Sequence, residues 1–370
     1  MRKLSLAHRI LFGVVLSAGV AVGALSFANA PASVTTEYQG LRPEPVHGRT
    51  AQEILARLER HYHNRRLDDQ LSAQLLDSYL RDLDPNHLYF IQADIDEFGA
   101  LRNMLDDQLR GGDLSAGYAI YNRYQSRVEE SLSYLLSLLD GGIESLDLTS
   151  NDTVLIDRSK AAWPRDAEEK QTLWRKRLKD AVLTMRMNGD VEAEIGDRLR
   201  RRYEGQLKRL EQSTAEDVFQ VYINSLTMSY DPHTNYHTPH TSENFTINMS
   251  RSLEGIGAVL QGEDEFTKVI RLVPGGPAAK GGMLKASDRI VGVAQGEQDV
   301  VNVIGWRLDE VVNLIRGPKG TTVRLEVIPA NSPSEHNTRM ISIVRNKVVL
   351  EDQAAKSRIL EIPDGDSKAR

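Results

Sequence analysis

The sequence contains no cysteine. Disulfides and thiolate metal sites are therefore excluded, an absence compatible with an oxidising compartment. It also lacks any excess of positive charge. Its 46 Lys and Arg face 52 Asp and Glu, leaving a net charge of −6. Such a chain has no general electrostatic attraction for nucleic acid or anionic lipid, and no nucleic-acid partner is expected. Past its first 32 residues it has no long hydrophobic run. No unit of fixed length recurs, which argues against a repeat architecture. The nucleophile motif G-x-S-x-G is missing too.

What is present begins with a leader. Arg2, Lys3 and Arg9 form a positive start, and residues 10–25 are apolar but broken by Gly13, Gly19 and Gly23. A stretch this short and weakly apolar reads as a secretory signal peptide covering residues 1–32. Ala28-Asn29-Ala30 and Ala30-Pro31-Ala32 are competing cleavage sites, because Pro31 would follow the first cut. The expected location is the periplasm, with membrane association if the leader is retained.

Residues 33–230 read as an all-α domain. Thr50 and Glu53 form a capping-box pattern before Ile54, Leu55, Leu58 and Tyr62. Three further stripes follow at helical spacing: Leu71 to Leu83, Ile95 to Leu109 before Gly111-Gly112, and Ile120 to Leu139 before Gly141-Gly142. Residues 166–187 continue the pattern, then Val191 to Leu210. A second capping box, Ser213 with Glu216, precedes Val218, Phe219, Tyr222, Ile223 and Leu226.

After Asp231 the texture changes to short β-rich runs between glycine turns. Residues 266–273, 289–293, 322–328 and 339–345 read as strands, and residues 308–316 as the one clear helix. The segment Leu253-Glu254-Gly255-Ile256-Gly257-Ala258-Val259-Leu260 carries the chemistry. Two glycines one residue apart open backbone angles closed to other residues, so successive N–H groups can converge on one anion. The apolar strand leaving that loop offers an edge to which a peptide can add itself. The second wall of such a groove is the helix face of Leu308, Val311, Val312 and Ile315, at i, i+3, i+4 and i+7. Together they suit an apolar carboxyl-terminal residue, with Arg251 adding charge attraction.

The order of motifs around that loop is specific. Pro274-Gly275-Gly276-Pro277 comes first, then Ser287-Asp288-Arg289-Ile290-Val291-Gly292-Val293, then the helix, then Arg316-Gly317-Pro318-Lys319-Gly320-Thr321. This order, with Asp231-Pro232-His233-Thr234-Asn235-Tyr236 upstream, resembles the PDZ domain of the tail-specific, carboxy-terminal processing proteases. Ser287 departs from the family's glycine, and the turn there is expected to be looser without loss of binding. The resemblance implies an α+β multidomain chain: the helical domain, a linker motif and PDZ domain over residues 231–347, a small β-barrel or sandwich with one main helix, and, at residues 348–370, the first part of a protease domain missing from this chain.

Family members hydrolyse proteins with a serine activated by a neutral lysine. Ser159-Lys160 lies in the helical region, in a loop of no catalytic role, and Lys356-Ser357 lies where the further domain would begin. No residue is therefore nominated as catalytic, and the chain alone is expected to be inactive. His233, His237 and His240 are interrupted by Pro232 and Pro239, so no metal site is assigned. No cofactor is implied. The expected function is the substrate-recognition portion of an exported tail-specific serine endopeptidase. Its partners would be the carboxyl-terminal tails of unfolded or periplasmic proteins, with an adaptor lipoprotein as a further candidate. The alternative is a freestanding periplasmic peptide-binding or adaptor protein.

Overall fold

A computed structural model describes residues 40–63, 65–250, 252–332, 337–349, 362–364 and 367–369. The leader, Arg251 and Lys356-Ser357 lie outside the described residues. Among those described, no helix is long and apolar enough to cross a membrane.

The apolar stripes become α1 (Pro45–Leu58), α2 (Asp69–Leu83), α3 (Gln92–Gly99), α4 (Leu105–Gly111), α5 (Ser115–Asp140), α6 (Ala167–Met187), α7 (Glu192–Glu211) and α8 (Ala215–Tyr230). Several ends differ from the sequence reading. The first helix starts before Thr50: Pro45 occupies its first turn, and the Glu44 N–H donates to His47 Nδ1 at 3.0 Å. It ends at Leu58, leaving Tyr62 exposed on a turn. The stripe from Ile95 to Leu109 is two helices, because the Leu105 N–H finds the Ser72 hydroxyl at 3.0 Å and starts a new helix against α2. Thr214 and Asp217, not Ser213 and Glu216, form the capping box of α8.

The 26-residue α5 links two cores. Its first half packs with α1, α2, α4 and α8 around Leu75, Tyr79, Phe219 and Tyr222. Its second half packs with α6 and α7 around Leu132, Leu135, Trp174 and Leu178. Gly117 is required at the first crossing, where a Cβ would lie 2.6 Å from the Tyr222 ring. Between α2 and α3 the buried Asp84 carboxylate accepts the N–H groups of Leu88, Tyr89 and Phe90 at 2.8, 2.8 and 3.1 Å. Burial pushes its pKa up against those three bonds. Buried Asp94 goes the other way: desolvation is outweighed by bonds from Arg127, the Ile91 N–H and Arg123, and its pKa is lowered.

The β-rich part holds β1 (Ser252–Gly255), β2 (Ala258–Glu263), β3 (Phe266–Leu272), β4 (Arg289–Gln295), β5 (Val301–Asn302), β6 (Thr322–Ile328), β7 (Arg339–Val344) and β8 (Asn346–Val349), with a short hairpin of β9 (Ile362–Asp364) and β10 (Ser367–Ala369). The main sheet is antiparallel, in the order β2-β3-β4-β6-β7, with β5 added to β4. It encloses a core of Val269, Ile290, Val293, Val323, Leu325 and Ile341, closed by α11 (Leu308–Ile315). The helical and β-rich parts together make an α+β chain. Two further helices appear where only strands and turns are expected: α9 (Pro239–Ser250), with Pro239 as its first residue, and the short α10 (Pro277–Gly281). Proline is well suited to a first helical position, so Pro239 starts a helix there. Ser287 holds the left-handed φ of +67° that glycine would take without a Cβ penalty.

Candidate functional site

The loop between β1 and β2 is built from behind. Ile256 O accepts the Ala278 N–H of α10, and Gly257 O accepts the Val273 N–H, both at 2.8 Å. In a planar trans peptide the N–H points opposite to the C=O. The N–H groups of Gly257 and Ala258 are therefore turned away from α10 and β3. Among the described residues, neither the Ile256 nor the Gly257 N–H donates to any acceptor. Gly257 has φ +73°, and a Cβ there would lie 3.2 Å from Gly276 Cα and 3.3 Å from a Val348 methyl. The Pro274-Gly275-Gly276-Pro277 turn thus backs the loop, and its small residues allow the approach.

β2 leaves this loop as the terminal strand of the sheet, and among the described residues its second edge has no strand partner. α11 packs beside it. Ala258 and Leu260 pack against the core cluster, while Val259 remains half-buried outside it. The four helix positions separate. Val311 and Ile315 are buried in the core. Leu308 and Val312, four residues apart on the next face, are half-buried and lie outside the core cluster. Ile256 is likewise a core residue whose backbone, not side chain, belongs to the loop.

Leu253 and Glu254 lie on a strand, not in the turn before β2, because β1 pairs with β8, setting Leu253 opposite Val348. Val348 is therefore buried beside the loop. The Glu254 carboxylate accepts the Lys319 N–H at 2.9 Å, which ties β1 to the turn after α11. Gly255 completes β1 and is buried near Arg316.

Sequence reasoning missed the cations that frame this end of α11. Buried Arg345 donates to Ile315 O (2.8 Å), Leu314 O (3.0 Å), Gln295 Oε1 (2.6 Å) and Thr321 Oγ1 (2.9 Å). Burial lowers its pKa. A Cβ on Gly317 would meet its guanidinium at 3.0 Å, which explains the glycine of Arg316-Gly317-Pro318. Half-buried Arg316 donates to Asn244 of α9 at 2.8 Å. A buried arginine at the end of a strand has no local sequence pattern to reveal it.

The other candidates resolve into structural roles. Ser159 Oγ donates to Asp157 at 2.7 Å within its own turn. Asp231 accepts the His233 N–H and the Tyr62 hydroxyl, His237 stacks on Phe245, and His240 contacts Asn244.

Comparison with family models matches residues 53–240 to the tail-specific protease N-terminal domain and residues 245–328 to the PDZ domain. The chain belongs to the tail-specific protease family. The tail-specific protease of Haemophilus influenzae is 42% identical over 297 residues, covering 80% of this chain and 42% of that protein. The carboxy-terminal processing protease CtpA of Bacillus subtilis is 34% identical over 133 residues, covering 35% of this chain and 27% of that protein. The chain thus spans less than half the length of these family relatives. Among solved structures, the PDZ domain of a carboxy-terminal protease from Vibrio cholerae in complex with peptide is 52% identical, covering 26% of this chain and 97% of that one, at a TM-score of 0.25.

Proposed function

We propose that this chain carries the substrate-recognition part of an exported tail-specific endopeptidase, and that its PDZ domain captures protein tails ending in an apolar residue and a free carboxylate. One observation carries the reading. The carbonyls of Ile256 and Gly257 are engaged from behind, which turns the N–H groups of Gly257 and Ala258 outward at the head of the open β2 edge. A carboxylate accepting those bonds would let the preceding residues extend along β2 as an added strand. Its terminal side chain would then lie against Leu308 and Val312.

Hydrolysis of the captured tail is assigned to a serine–lysine domain, and no residue of this sequence is given a catalytic role. Export by residues 1–32 and a periplasmic location complete the proposal. An adaptor lipoprotein is retained as a candidate partner with no surface assigned to it. The test is calorimetric titration with paired peptides that end in leucine, one a free acid and one amidated. Charge-assisted hydrogen bonds are worth about 1.5–3 kcal/mol each, so amidation should weaken binding about tenfold or more. Equal affinity for the two peptides would overturn the carboxylate reading.

A further inference from the structure

The two ends of α11 are held by different parts of the molecule. At its carboxyl end, the carbonyls of Leu314 and Ile315 are bound by Arg345 and Gln295, both from the same sheet domain. At its amino end the holding groups come from the helical region. The Arg307 guanidinium donates to Gln212 O at 2.9 Å and to the Asp217 carboxylate at 2.5 Å, and also pairs with Asp309 in the first turn of α11. In return, Gln212 Nε2 donates to Gly305 O at 2.7 Å. The corner between α7 and α8 therefore grips the residues that start the groove helix. Asp217 is held there a second time, because it also forms the capping box of α8 with Thr214. Its pKa is lowered, burial being outweighed by the bonds from Arg307 and Thr214 together.

The opposite groove wall, β2, is fixed by β3 within its own domain. One wall is thus set by the sheet, and one end of the other wall by the helical region. Leu308, the first groove-facing residue of α11, directly follows Arg307.

We propose that this clasp makes Arg307 and Gln212 positioning residues for the groove: the α7–α8 corner holds α11 at the spacing that receives a peptide, and a bound peptide in turn tightens the corner. The proposal rests on the peptide-groove reading given above. A wall held in place before binding spares the ordering cost at the moment of association. Because coupling free energies are reciprocal, whatever the clasp adds to peptide affinity the peptide adds to the clasp.

The test uses the full chain, as wild type, Arg307→Ala and Gln212→Ala, with the free-acid and amidated leucine peptides. Calorimetry reads affinity, and hydrogen exchange reads protection of residues 212–217, which lie in the helical region. Wild type should prefer the free acid and gain protection at 212–217 when it binds. Arg307→Ala should weaken the free-acid peptide about fivefold or more and abolish the peptide-dependent protection. Gln212→Ala, which removes only the bond to Gly305, should show a smaller loss of the same kind, and stands in if the arginine variant does not fold. A wild type that fails to distinguish acid from amide overturns the groove reading itself. A wild type that does distinguish them, with a folded variant unchanged in both affinity and protection, overturns the coupling alone.

Discussion

Among the described residues, two turns invite comparison through their backbone N–H groups. After Asp84, the N–H groups of Leu88, Tyr89 and Phe90 converge on a carboxylate that the chain itself supplies. In the loop before β2, the N–H groups of Ile256 and Gly257 have no acceptor among the described residues, and those of Gly257 and Ala258 face outward. Under the proposed function the chemistry is the same and the source of the carboxylate differs. The first turn is closed by an aspartate and serves the fold. The second is backed by α10 and a glycine turn that leave its front open, and it lies at the head of an unpaired strand edge. In the proposed function a carboxylate from another chain does there what Asp84 does internally.

Each turn can be disabled separately. Asp84→Ala has the largest expected effect. It leaves three N–H groups without their acceptor in a buried turn, so stability should fall by about 3 kcal/mol or more by denaturant unfolding, with peptide affinity unchanged in the folded fraction. Gly257→Val acts on the other turn. It places a branched side chain at φ +73° within 3.3 Å of Gly276 and Val348, and should weaken the free-acid peptide at least tenfold by calorimetry.

Acid titration sharpens the same contrast. Asp94 has a lowered folded pKa, so its contribution is fully present above its unfolded value of about 3.9 and is lost as the pH falls through the folded value. Asp84 has a raised folded pKa, so it holds its proton more readily folded than unfolded and loses stability as the pH rises through that window. Unfolding measured between about pH 5 and 3 should therefore show a shallower acid loss in Asp94→Asn and a steeper one in Asp84→Asn.

Ser287→Gly should stabilise the sheet domain by about 1 kcal/mol, since it relieves a Cβ in the left-handed region. Lys319→Ala should change peptide affinity by less than about twofold, because this residue contributes its backbone N–H to Glu254 while its side chain is exposed.

Much of the fold was legible because it is written locally. The stripes of α2, α5, α6, α7 and α8 and the four expected strands fall within a few residues of their observed positions, since each depends on its own period and its own glycine or capping signal. What was not legible depends on distant partners. β1 exists because Leu253 meets Val348, and a Gly-x-Gly segment read alone gives no hint of that pairing. The division of α11 into buried Val311 and Ile315 and half-exposed Leu308 and Val312 is set by the sheet beneath it. The same limit hid Arg307, whose partners Gln212 and Asp217 lie in another region of the chain. The loop itself was legible as a candidate, since two glycines one residue apart narrow the conformations available. Which N–H groups it presents was decided by Val273 and Ala278.

The loop's outward N–H groups are proposed to receive a carboxylate, and amide proton chemical shifts report on that directly. Titration of the isotope-labelled chain with the free-acid leucine peptide should move the Gly257 and Ala258 amide protons strongly downfield, as expected for new charge-assisted bonds, and the amidated peptide should leave them nearly in place. Equal shifts with both peptides, or shifts that leave Gly257 and Ala258 unmoved while the peptide binds elsewhere, would contradict the account.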